Sequence, residues 1–170
     1  MSAYRKNNKG FTLVEILIVV IILGILAAIV IPQFTNASTD ARKNSLSSQL
    51  QTMRSQFELY KLQHNDKLPA AFLTDGSTDD WSLMVGQSDV DGNTTGANNF
   101  GPYLQQKPTN SLNGHTSILV GTTEFNYADP SGSTTDGWLL NKTTGKVWAT
   151  STAFTKVYDE SNPSNTSNDQ

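Results

Sequence analysis

The chain of 170 residues contains no cysteine. That excludes disulfide closure, thiolate metal centres and a cysteine nucleophile. Histidine is nearly absent, with only His64 and His115. Gly-x-Ser-x-Gly and phosphate-loop patterns are missing, and the many serines and threonines have no evident base. The chain reads as a non-enzyme. Positive charge is also scarce, with 12 Lys and Arg against 15 Asp and Glu, a net −3. Three of those bases, Arg5, Lys6 and Lys9, lie in the first ten residues, which hold no acid. The remainder, nine bases against 15 acids, carries −6. Nucleic-acid binding needs a basic face, so no nucleic-acid partner is expected.

Polar side chains are missing from Ile16 to Ile31, where only Gly24 is not apolar. The flanking Leu13 extends the run to 19 residues, close to the ~20 that span a bilayer as a helix. A cleaved secretory signal is the competing reading. It fits poorly, because Ala27-Ala28 lies inside the run and Pro32 follows it. A retained membrane helix with lipid around it is the better reading. Bases precede the run and none follows soon after. The positive-inside rule therefore puts residues 1–9 in the cytoplasm and the chain beyond Gln33 outside.

Glu15 interrupts the start of this run. Insertion scales penalise a carboxylate at a helix centre by roughly 2.5–3.5 kcal/mol, and intramembrane acids usually have a partner. Lys9-Gly10-Phe11-Thr12-Leu13-Val14-Glu15 resembles the processing site of type IV pilins and type II secretion pseudopilins. The resemblance implies cleavage between Gly10 and Phe11 by a prepilin peptidase and N-methylation of Phe11. It leaves a mature chain of 160 residues. It also implies a partner for Glu15, the Phe11 amine of a neighbouring copy. Such a pair would act as a register device, since either charge alone in hydrocarbon is costly. The plain alternative is that Glu15 snorkels unpaired to the headgroups. Gly24 and Pro32 also match family positions and bracket Ile25–Ile31, a stretch able to loosen on assembly. An uninterrupted helix is the alternative there.

Beyond Pro32, Leu46, Leu50, Met53, Phe57 and Tyr60 follow steps of 4, 3, 4 and 3, one face of a helix. Ser48, Gln49, Thr52, Ser55, Gln56 and Lys61 fill the other face. Asn65–Pro69 ends the helix. Residues 34–64, and above all Gln56–Lys61, resemble major pseudopilins, in which a long helix leads into a variable head. Gly101–Leu104 resembles a segment of those heads. Asp80 suits the cap of a short helix over 81–85, and residues 86–99 read as a loop. Strands are expected at 117–120, 124–127, 137–141 and 146–150, with a hairpin turn at Lys142–Gly145. Trp138 and Trp148 are expected on one face of that hairpin, against the helix.

The expected fold class is α+β: a long N-terminal α-helix, membrane-spanning then amphipathic, packed on a small antiparallel sheet. The segments are a leader at 1–10, the transmembrane helix at 11–34, the amphipathic helix at 35–66, the head at 67–158 and a disordered tail at 159–170. No cofactor is certain. Asp89-Val90-Asp91-Gly92-Asn93 has the acid spacing of calcium loops without their full ligand series. Heads of major pseudopilins often hold calcium, so Asp89, Asp91, Asp129 and Asp136 are candidate Ca2+ ligands.

Three functions follow. The first is a pseudopilus subunit of a type II protein secretion system, anchored in the inner membrane with its head in the periplasm. Its partners would be further copies of itself, the prepilin peptidase, an inner-membrane assembly platform and minor pseudopilins. The second is a pilin of a surface pilus, for adhesion, motility or DNA uptake. The missing C-terminal disulfide disfavours it. The third is a membrane-anchored binding protein that never polymerises and keeps Gly10-Phe11 uncut.

Overall fold

One helix dominates the chain because nothing in residues 13–63 stops it. The computed structural model describes residues 10–96, 99–122, 125, 135–152 and 156–161. Helix α1 runs Leu13–Gln63, 51 residues, with Gly24 and Pro32 inside it. Pro32 cannot donate to the preceding turn, yet the helix is uninterrupted there. The Thr35 hydroxyl donates to the carbonyl of Ile31 beside it, at 3.2 Å. The chain divides into two compact units, 1–39 and 40–170, so α1 contributes to both.

In the first unit the described apolar side chains are all exposed, Phe11 at 84 % and Leu17 at 52 %. By length and composition α1 is apolar enough there to cross a membrane. A side chain added at Gly24 would meet nothing within 4 Å. Among the described residues, therefore, nothing sterically requires glycine at that position.

In the second unit the 4-3-4-3 stripe is the core. Leu46, Leu50, Met53, Phe57 and Tyr60 are each 2 % exposed or less. They pack with Phe72, Trp81, Met84, Ile118, Val120, Trp138, Leu140, Val147 and Ala149. Phe57, Phe72 and Trp81 form an aromatic trio with centroids 5.1–6.3 Å apart. A short helix α2, Ser82–Val85, follows Trp81. The cap position is Trp81, not the expected Asp80, although Asp80 Oδ1 accepts the Ser82 N–H at 2.9 Å.

The sheet has four strands: β1 Gly76–Thr78, β2 Ile118–Gly121, β3 Trp138–Asn141 and β4 Val147–Ala149, in the order β1-β2-β3-β4. It is mixed, not antiparallel throughout as expected. β1 and β4 run antiparallel to their neighbours, but β2 and β3 are parallel, with Ile118 opposite Trp138 and Gly121 opposite Asn141. Parallel strands need a crossover of about a dozen residues, and residues 122–137 supply it. Most of the strand expected at 124–127 lies outside the described residues. β1 was not anticipated.

The β3–β4 hairpin turns at 142–145 as expected. Asn141 Oδ1 accepts the N–H groups of Thr143 and Thr144 at 2.9 and 3.0 Å, and Gly145 takes φ +75°. The two tryptophans, however, do not share a face. Trp138 pairs with Ala149 and Leu139 with Trp148, and paired residues point the same way. Trp138 lies in the main core. Trp148 packs with Phe125, Leu139 and Val157 on the other face.

The C-terminal segment folds back on β4 through a Thr150–Val157 bridge. Arg54 makes a bidentate pair with Glu160 at 2.8 and 2.6 Å and donates twice to the Val147 carbonyl. Residues 159–161, placed in the tail by the sequence reading, are therefore held in the head. The rest of that tail lies outside the described residues.

Candidate processing and assembly segment

The start of α1 is built by four residues. Gly10 and Phe11 precede the helix, both exposed. Thr12 sits just before the first helical residue, and its carbonyl accepts the N–H of Ile16 at 3.3 Å. Its hydroxyl accepts the N–H of Glu15 at 3.2 Å. In return Glu15 Oε2 accepts the backbone N–H of Thr12 at 2.7 Å and its hydroxyl at 2.8 Å. This is a reciprocal capping box, Thr-x-x-Glu, which satisfies two of the free donors at a helix start. The negative charge also suits the positive end of the helix dipole.

The acid that looked orphaned in the sequence is therefore held by its own chain. The N–H it accepts belongs to the Phe11–Thr12 peptide, one unit beyond the Gly10–Phe11 bond. The sequence reading missed Thr12, although the Thr-x-x-Glu spacing before an apolar run is a readable signal. Gly10 has open space around it, with nothing within 4 Å of an added side chain. Among the described residues nothing sterically demands glycine there.

Of the candidate metal ligands, Asp89, Asp91 and Asp136 lie within the described residues. Asp89 Oδ1 accepts the backbone N–H groups of Asp91 and Asn93, at 3.0 and 2.8 Å. Asn93 Nδ2 lies 3.3 Å from Oδ1 and 3.0 Å from Oδ2. These bonds, the Asn93 side chain first, hold the Asp89 carboxyl below the usual carboxylate range. Asp136 is buried at the start of β3 and accepts a short hydrogen bond from the Ser77 hydroxyl on β1. Asp129 lies outside the described residues. Among the described residues no three acids or histidines come together as a metal group. The donors around Asp89 are hydrogen-bond donors, which do not fit a calcium ion bound to both carboxylate oxygens.

The structure also supplies a base for a serine, which the sequence did not reveal. His64 Nε2 is 2.9 Å from Ser88 Oγ, and Nδ1 is 2.9 Å from the Tyr60 carbonyl. The carbonyl accepts, so Nδ1 carries the proton and Nε2 accepts from Ser88. The pair is nevertheless sealed: Ser88 is 0 % and His64 2 % exposed. The ring also stacks on Tyr60 at 3.7 Å. It pins the Ser88–Phe100 bridge to the end of α1.

Comparison with known proteins points to the same N-terminal segment. Residues 5–31 match the family model of the prokaryotic N-terminal methylation motif. The matched stretch takes in Gly10–Glu15 and the apolar run that follows. The chain is 38 % identical over 60 residues to type II secretion system core protein G of Pseudomonas aeruginosa. That match covers 35 % of this chain and 42 % of the relative. It is 33 % identical over 63 residues to the ComG operon protein 3 homolog of Bacillus licheniformis, covering 37 % and 65 %. It is 40 % identical over 53 residues to type IV major pilin protein PilA of Myxococcus xanthus, covering 31 % and 24 %. The match spans about two fifths of the length of the core protein G relatives. No solved structure matches.

Proposed function

We propose that the chain is the structural subunit of a type II secretion pseudopilus. It is made as a precursor in the inner membrane, cut between Gly10 and Phe11 by a prepilin peptidase, and methylated on the Phe11 amine. The head then stands in the periplasm, and copies stack through residues 11–34. The Glu15 carboxylate pairs with the Phe11 amine of a neighbour, or exchanges its own cap for that amine. The assembly platform and minor pseudopilins are its remaining partners, and the chain performs no catalysis itself.

The observation that carries this reading is the methylation motif at 5–31. It leads directly into an exposed apolar helix whose first acid is already tied to the helix start. The basic leader favours a cytoplasmic N-terminus. A surface pilin is the second reading, favoured by the similarity to the Myxococcus pilin. Lack of cysteine weighs against it, because no disulfide can close the head. Deletion separates the two. Loss of exported enzymes with surface pili intact supports the pseudopilus, and loss of pili with secretion intact supports the pilin.

A further inference from the structure

The loop at 88–100 has the acid spacing of a cation site, and among the described residues its carboxylate at Asp89 meets hydrogen-bond donors. Its ends are tied by the Ser88–Phe100 bridge, with bonds of 3.0 and 3.1 Å in both directions. It is anchored below by Ser88 on His64. Gly92, at φ +82°, rests on Tyr60, where an added side chain would come within 3.3 Å of the hydroxyl. The turn closes through the Asp89 N–H to the Asn93 carbonyl and the Gly92 N–H to the Asp89 carbonyl, both 3.0 Å. At its centre the Asn93 amide nitrogen lies against both Asp89 oxygens. A doubly bound calcium ion would take that place.

We infer that Asn93 stands in for a cation in this head: its side-chain NH2 bridges the Asp89 carboxylate and closes the loop without metal. The physical reason is donor polarity. A cation needs oxygens aimed at it, whereas here one carboxylate receives two backbone N–H groups and an amide. Binding calcium would require Asn93 to turn its carbonyl inward, breaking both contacts of Nδ2. Replacing the amide by a second carboxylate reverses the demand. Two facing acids repel, and a cation relieves them.

The test uses the full-length chain in detergent micelles, melted in EDTA and in millimolar CaCl2. Wild type is expected to show the same melting temperature in both. Asn93→Leu keeps the bulk without the donor, and should fall by about 3–6 °C equally in both. Asn93→Asp should fall in EDTA and recover in calcium. Calorimetric titration of wild type with CaCl2 gives a readout independent of how the variants fold. Calcium binding that raises the wild-type melting temperature and disappears in Asp89→Asn would overturn the inference. A rise that Asp89→Asn leaves intact supports it for this loop, because the ion then binds elsewhere.

Discussion

Glu15 shows how one acid can be tolerated at the edge of an apolar helix. Its carboxylate takes two hydrogen bonds from Thr12, so a monomer in the bilayer need not carry it bare. The same group remains available to an amine, because a carboxylate has further lone pairs. Glu15→Ala should therefore be cleaved normally yet yield few filaments, measured as sheared polymer per cell. Wild-type yield from that variant would remove the charge pair from the account. Thr12→Val, which keeps the shape and loses the hydroxyl, should weaken the helix start by about 1 kcal/mol. Its filament yield should fall between wild type and Glu15→Ala. The acid itself was readable in the sequence because it breaks an apolar run. Its intramolecular partner was readable only through the three-residue spacing. At Asp89 the sequence leaves the partner open for a related reason: acid spacing is the same whether the partner is a cation or an amide.

Among the elements, α1 was the most legible. Its stripe at 46, 50, 53, 57 and 60 became the core because steps of 4 and 3 keep side chains on one face. β1 was illegible, since Gly76-Ser77-Thr78 carries no apolar pattern and is an edge strand. The parallel pairing of β2 and β3 depends on a long connection, which no local pattern reports. The faces of Trp138 and Trp148 were decidable from the turn. A loop of 142–145 pairs Leu140 with Val147, which puts the two rings on opposite faces. Leu50 is fully buried in the stripe, so Leu50→Ala should cost roughly 2–5 kcal/mol of stability, read by denaturant unfolding. Arg54 joins α1, β4 and the C-terminal segment. Its pair with Glu160 is partly exposed, at 37 % and 28 % of the side chains, so solvent screening limits its strength. Arg54→Ala should still cost about 1–2 kcal/mol through the lost bidentate and carbonyl bonds. Arg54→Lys should recover little of it, because lysine has no planar fork. Full recovery with lysine would contradict that reading of the clasp.

At the scale of the whole molecule, stability should fall at both ends of the pH range. Bonds from Lys107 and Thr116 hold Asp79 below its usual range, and bonds from Ser82 do the same for Asp80. A depressed carboxyl contributes stability above its unfolded value. That contribution is lost as pH falls from the unfolded value through the folded one, so the acid limb begins in the ordinary carboxylate range and extends below it. Asp79→Asn should flatten that limb. Burial pushes the Tyr103 hydroxyl up to about 12 from 10.0. Its contribution is whole below pH 10 and fades as pH rises from there toward 12. Tyr103→Phe should flatten the alkaline limb, although it also loses the 2.6 Å bond to Gln63. Melting curves across pH check both signs.

The filament account as a whole rests on a new N-terminus at Phe11, since without it Glu15 has no amine to meet. Intact-mass and peptide mass spectrometry of the chain purified from its native membrane reads that end directly. The account predicts a chain of 160 residues beginning at Phe11 with one methyl on the amine. A chain that retains Met1–Gly10, found in assembled material, would contradict it.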